Sequence, residues 1–157
     1  MALFLVQHGK SLPKEVDPEQ GLSGEGRAET EEIAAVAREH GVRIALIVQS
    51  GKKRAAQTAE MFASALQPAG GLQKGDGLNP LDDVTSLAEK IDASEDLMLV
   101  GHLPFMEKLA SFLITGAADK PVIRFQNSGI VCLDKDAGAD HWTIRWTLFP
   151  GIGGKSH

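Results

Sequence analysis

The sequence predicts an α/β fold: a mainly parallel central sheet with helices on both faces, closed by antiparallel C-terminal strands. Three observations carry that expectation. Short apolar runs at 3–6, 44–48 and 97–100 alternate with stretches of helical periodicity, and strand, helix, strand in succession implies parallel pairing. The last third of the chain instead holds two or three strand-like segments joined by a tight turn. A chain of 157 residues with 43% hydrophobic content can bury one ordinary core, so one domain over 1–157 is expected.

The first run, "LFLV", is rich in Leu and Val, is stopped by a glycine, and ends on Gln7 and His8. A polar, proline-containing loop follows from Lys10 to Leu22. Ser23 then stands as an N-cap before a helix that carries Ile33, Val36 and Ala37 on one face and stops at Gly41. "RIALIVQS" is the second strand, and Ser50 is placed to cap a helix with Ala55, Ala59, Phe62, Ala63 and Leu66 as its buried stripe. From Pro68 to Pro80 the chain is glycine-rich loop, with one short strand at Leu72. A modest helix with Leu87 and Ile91 comes next. "DLMLVGH" is the third strong strand, and after Pro104 a helix carries Leu109, Phe112 and Leu113. "VIRFQNSGIVCLDKD" and "HWTIRWTLF" supply the closing strands, with a turn near Asp136 to Asp140.

Composition narrows the partners. A net charge of -5, with no basic block beyond Lys52, Lys53 and Arg54, gives no electrostatic footprint for nucleic acid or an anionic membrane surface. The single cysteine, Cys132, lies in an apolar run and fits a reducing compartment. Met1 leads directly into the first strand pattern, and eighteen consecutive apolar residues occur nowhere. A cytoplasmic location follows as an expectation.

In a parallel sheet the ligand crevice lies beyond the carboxyl ends of the strands. The three strong runs end in Gln7 and His8, in Gln49 and Ser50, and in Gly101 and His102, so they deliver polar side chains to one end of the sheet. Arg54 and the amino ends of two helices add positive potential there. Two histidines, an arginine and helix N-termini together define an anion site.

"LVQHGKS", "SGKKRAAQTA" and "VGHLPF" resemble the three signature segments of the histidine phosphatase superfamily, in particular the small phosphohistidine phosphatases of the SixA type. "LSGEG" at 22–26 and "NSGIVCL" at 127–133 extend the likeness over most of the chain. The resemblance implies a phosphoglycerate mutase-like fold and a nucleophilic histidine at His8, with Arg54 and His102 as the other catalytic residues. Gln7, Ser11, Arg54, His102 and Leu103 are then the phosphate-binding set, with no metal ion and no cofactor. The reaction it implies passes a phosphoryl group to His8 and then to water, releasing inorganic phosphate.

Three departures from the family pattern stand out. Gln7 occupies the usual arginine position of the Arg-His-Gly motif, Gly51 a position where proline is more frequent, and Gln20 with Gly21 the place of a basic residue and proline. Lys10 and Lys53 are near enough in sequence to supply charge that Gln7 lacks, or are solvated surface lysines. Short loops after Ser11 and Gln67 leave the site uncovered, which suits a bulky substrate. Asp82 and Asp83 are the candidate general acids, or equally a loop and helix-capping pair. The leading expectation is a phosphatase acting on a phosphohistidine-bearing protein. The alternatives are a phosphate-binding recognition module and a phosphatase of small phosphorylated molecules.

Overall fold

The computed structural model describes residues 1–151; the last six residues of the expected 1–157 domain lie outside the described residues. The elements in chain order are β1 (Ala2–Gln7), α1 (Gly24–Glu39), β2 (Leu46–Gln49), α2 (Lys53–Leu66), β3 (Leu72–Lys74), α3 (Val84–Lys90), β4 (Leu97–Gly101), α4 (Phe105–Thr115), β5 (Ile130–Asp134) and β6 (Thr143–Leu148). They form one six-stranded sheet in the order β3-β2-β4-β1-β5-β6. β1 to β4 pair in parallel, and β5 and β6 join antiparallel beside β1. The expected mixed α/β architecture is the one observed.

Burial on both faces explains the unbroken apolar runs. Successive side chains of a strand point to opposite faces. Leu3 and Leu5 of β1 accordingly pack with Phe105, Met106 and Leu109 of α4, while Phe4 and Val6 pack with Ile33 of α1 and Ala59 and Phe62 of α2. α1 and α2 cover one face and α3 and α4 the other. Each of these strand side chains is at most 5% exposed, so the sheet's centre holds no solvent-facing side.

Most boundaries follow the sequence. Ser23 caps α1 by accepting the Gly26 amide, and Gly41 follows the helix end with φ +72°. The helix after β2 starts differently: its N-cap is Lys52, whose side chain makes no cap bond, so Ser50 is not the cap it was expected to be. The hydroxyl of Ser50 is engaged elsewhere, as shown below. "VIRF" at 122–125 forms no strand; the Phe125 amide donates instead to a Glu107 carboxylate oxygen on α4 at 2.8 Å. Among the described residues no helix is long and apolar enough to cross a membrane.

This topology creates a crevice. After β1 the chain turns to α1 on one face, and after the adjacent β4 it turns to α4 on the opposite face. The carboxyl ends of β1 and β4 therefore bracket a switch point, where side chains are left uncovered by either connection.

Candidate active site

β1 and β4 run in register with Gln7 opposite Gly101, so the next residue of each strand, His8 and His102, emerges at neighbouring positions. The His8 amide also donates to the Gly101 carbonyl at 3.0 Å. The two rings lie with centroids 5.0 Å apart and planes tilted by 52°. β2 pairs with β4 with Gln49 opposite Val100, which brings Ser50 to the same edge; its Oγ lies 2.6 Å from His102 Nε2. Arg54 is the second residue of α2, half-buried, at the positive end of a helix whose first turn carries no acidic residue.

The protonation states follow from this packing. His8 Nδ1 sits 2.7 Å from the Gly9 carbonyl. A carbonyl only accepts, so Nδ1 carries the proton and Nε2 keeps its lone pair. Burial lowers the pKa of His8; the bond to Gly9 works against this, and the Arg54 charge adds to the lowering. His102 is 2% exposed, and burial followed by the neighbouring charges of His8, Arg54 and Lys52 takes its pKa down to about 3. Both imidazoles are neutral at pH 7. His102 Nδ1 is buried without a partner among the described residues. Burial also lowers the pKa of Arg54, but a guanidinium remains charged at any physiological pH.

The turn that carries His8 is braced from three sides. Thr58 on α2 accepts the Gly9 amide at 2.9 Å and passes its own hydroxyl hydrogen to the Arg54 carbonyl at 2.8 Å. One buried threonine thus couples the loop of His8 to the helix that presents Arg54. The Asn127 side-chain amide donates to the His8 carbonyl at 2.9 Å, and the Ser128 amide donates to the Gln7 carbonyl at 2.9 Å. Gly9 is required by close approach: a Cβ there would lie 2.9 Å from Thr30 Oγ1 and 3.0 Å from Ser128 Oγ, two hydroxyls already bonded to each other at 2.6 Å. The sequence brings Ser50 to this end of the sheet but not to His102, and it gives no site role to Thr58 or Asn127. Of these two, Thr58 carries a signal, being one helical turn beyond Arg54.

The other expected residues fall as follows. Gln7 is half-buried at the end of β1, with its Oε1 shielded and unpartnered. Ser11 is half-buried and bridges Leu22 through the backbone; Leu103 leads into α4, whose N-cap is Pro104. Neither lysine is a free charge for the pocket. Lys10 pairs with Glu25 at 2.7 Å and Glu29 at 3.4 Å, and Lys53 with Asp17 at 2.9 Å. Asp83 is the N-cap of α3, accepting from the Thr85 amide and hydroxyl and from the Ser86 hydroxyl. Those bonds, Thr85 foremost, hold its carboxyl below the usual range, which leaves it a poor proton donor near neutrality. Asp82 accepts the Asn79 amide at 2.9 Å. Both aspartates have structural work as caps and turn formers. Among the described residues no group of three or more His, Cys, Asp or Glu side chains is placed to hold a metal ion.

The fold is that of the histidine phosphatase superfamily, and within it the chain resembles the SixA-type phosphohistidine phosphatases. The protein histidine phosphatase SixA complexed with tungstate superposes with a TM-score of 0.82 at 24% identity, over 96% of this chain and 97% of that one. A protein of Agrobacterium tumefaciens assigned as the phosphohistidine phosphatase SixA gives 0.75 at 28% identity, over 96% and 98%. A mycobacterial glucosyl-3-phosphoglycerate phosphatase complexed with VO3 gives 0.72 at 16% identity, over 92% and 97%. No protein-family model matches the sequence, and no curated protein does so either.

Proposed function

We propose that the chain is a phosphohistidine phosphatase that removes phosphate from a phosphohistidine-bearing protein, with His8 as the nucleophile. The observation that carries this reading is the His8 ring itself, fixed by its Nδ1 bond to Gly9 with Nε2 unprotonated, beside Arg54 and a neutral His102. A neutral imidazole nitrogen is a competent nucleophile at pH 7, and a covalent intermediate divides one difficult transfer into two easier steps.

In the first step the His8 Nε2 lone pair attacks phosphorus while the N–P bond of the substrate breaks, and its electron pair takes a proton on the departing imidazole. In the second, water attacks phosphorus, Nε2 leaves with its electron pair, and inorganic phosphate is released. Arg54 and the N-terminus of α2 hold the equatorial oxygens, whose charge changes most in such transfers. His102 contributes a neutral ring at the pocket wall. A protonated imidazole leaves readily without a strong enzymatic acid, which fits a chain whose two candidate acids, Asp82 and Asp83, are occupied in turn and cap bonds. That is why a phosphohistidine substrate is favoured over a phosphomonoester, and turnover is favoured over recognition alone because the nucleophile's free nitrogen is prepared for attack.

The test is incubation with a phosphohistidine protein followed by a basic quench. Phosphate on His8, absent in His8→Ala together with turnover, is the expected result. A His8→Ala protein that retains more than a small fraction of activity would overturn the assignment.

A further inference from the structure

Ser50 and His102 are both buried, at 7% and 2% exposure, and nothing in the proposed reaction uses the bond between them. The 2.6 Å contact of Ser50 Oγ with His102 Nε2 is the one hydrogen bond that this ring makes among the described residues, since its Nδ1 has no partner. The two residues meet because β2 and β4 pair in parallel and end side by side. A ring with a single polar contact takes its rotation about the Cβ–Cγ bond from that contact and from packing alone.

The hydroxyl is the donor of this pair. A hydroxyl carries one hydrogen and two lone pairs, and a neutral imidazole carries one N–H and one bare nitrogen. The Lys52 amide donates weakly to Ser50 Oγ at 3.4 Å, which leaves the hydroxyl hydrogen to be placed, and His102 Nε2 is the acceptor in reach among the described residues. With Nε2 protonated, the Ser50 hydrogen and the Nδ1 lone pair would both be stranded; with Nε2 bare, only the Nδ1 hydrogen is. Stranding two buried groups costs more than stranding one. The ring so held lies against His8, with centroids 5.0 Å apart, and its rotation therefore shapes the wall on which the His8 ring rests.

We propose that Ser50 is a positioning residue: its hydroxyl donates to His102 Nε2, fixes that ring in one rotation and in the Nδ1–H tautomer, and through it holds the His8 ring in line for attack. The inference rests on the phosphatase reading above and deepens it. Two neutral imidazoles stand side by side at this edge of the sheet, and the Ser50 bond distinguishes them. It occupies the bare nitrogen of His102, whereas His8, protonated on Nδ1 toward the Gly9 carbonyl, keeps its Nε2 lone pair unengaged. His8 is thereby the one ring of the pair with a nitrogen available to phosphorus.

The test is NMR of the chain carrying nitrogen-labelled histidine at neutral pH, where protonated and bare ring nitrogens resonate far apart; the His102 signals are those that His102→Gln lacks. Wild-type His102 should show a protonated Nδ1 and a bare Nε2. Ser50→Ala, its fold checked by urea unfolding, should replace that pattern with a mixture of tautomers. Its kcat on a phosphohistidine peptide should fall about tenfold or more with KM within about twofold, since small misplacements of reacting groups are costly in rate. Ser50→Thr keeps the hydroxyl and should restore both the tautomer and most of kcat. A protonated Nε2 in wild-type His102 overturns the proposal. So does a Ser50→Ala protein that keeps the wild-type tautomer, whatever its kcat, because Ser50 then acts through packing and not as a donor. A folded Ser50→Thr protein that restores neither property overturns it as well. Absence of turnover by the wild type with the expected tautomer overturns the phosphatase reading, and the catalytic role of the bond with it, while a wrong tautomer in an active wild type overturns the role of Ser50 alone.

Discussion

Acid should unfold this protein through its buried histidines before its carboxylates are affected. His102 titrates near its ordinary 6.5 in the unfolded chain and at about 3 in the folded one. A base whose folded pKa is depressed binds fewer protons folded than unfolded, so its contribution is neutral above the unfolded pKa and destabilising below it. At pH 7.5 His102 is uncharged in both states and contributes nothing. At pH 4.5 the unfolded ring is protonated and the folded ring is not; two pH units below 6.5 correspond to a loss of about 2–3 kcal/mol. His8, lowered in the same direction, adds to the loss. The carboxylates work in a separate window. Asp17, Asp83 and Asp92 have lowered pKa values, so their stabilisation is present above about 3.8 and is lost only below it.

The measurement is urea unfolding at pH 7.5 and pH 4.5 for the wild type and for His102→Gln, which cannot titrate and whose amide extends to about the position of the Nε2 that meets Ser50. The wild type should lose about 2–3 kcal/mol or more on acidification, roughly a 1–2 M fall in urea midpoint for a protein of ordinary urea sensitivity. The variant should start less stable and lose correspondingly less. Equal losses in the two proteins would refute the reasoning, because the pH dependence would then belong to other groups.

Thr58→Val keeps shape but leaves the buried Gly9 amide without its acceptor; it should cost about 1–3 kcal/mol in urea unfolding and weaken anion binding at the His8 loop, and unchanged stability would remove Thr58 as a brace. Asp83→Ala should lower stability by about 1 kcal/mol through the lost cap of α3 while phosphohistidine turnover is maintained; a tenfold or larger fall in turnover would restore Asp83 as a general acid. Gly51→Pro should destabilise by more than about 1 kcal/mol, since Gly51 has φ +99° and its amide donates to the Gln49 side chain, neither of which proline permits; a neutral result would show the turn to be adaptable.

The parts of the fold legible in the sequence are those where one physical rule acts alone. β1 and β4 are buried on both faces, so their apolar runs have no competing interpretation, and the Ser23 oxygen accepts the Gly26 amide while its hydrogen goes to the Lys10 carbonyl, two bonds that one hydroxyl makes together. Legibility fails where two rules compete for one residue. Ser50 satisfies the sequence rule for an N-cap, but its oxygen is 2.6 Å from His102, a residue 52 positions away that strand order brings beside it. "VIRF" has the composition of a strand, yet its backbone is partnered by Glu107 on α4. The two histidines and Arg54 were legible because strand ends and helix starts are local features. Their protonation states were not, since these depend on burial and on each other's charge.

The three departures from the family pattern have a common physical basis that no single position reveals. At Gly21 the amide donates to Asp17, the same carboxylate that holds Lys53, and a Cβ there would lie 2.8 Å from the Lys53 side chain. A proline would remove the donor and crowd the pair. At Gly51 a side chain would meet Lys74, and the amide is taken by Gln49. At Gln7 an uncharged residue lines the same cavity as Glu29, whose partner Lys10 is shared with Glu25. Lys10 and Lys53, the lysines nearest Gln7 and Gly21, are tied to carboxylates, and Lys74 beside Gly51 lies exposed on β3. Positive charge at the rim has been redistributed into structural contacts, and Arg54 is left as the principal fixed cation beside His8 and His102. For the phosphate site proposed above, the expected consequence is a weaker hold on a free anion than a pocket with a second fixed cation would give, because charge-assisted hydrogen bonds are about twice as strong as neutral ones.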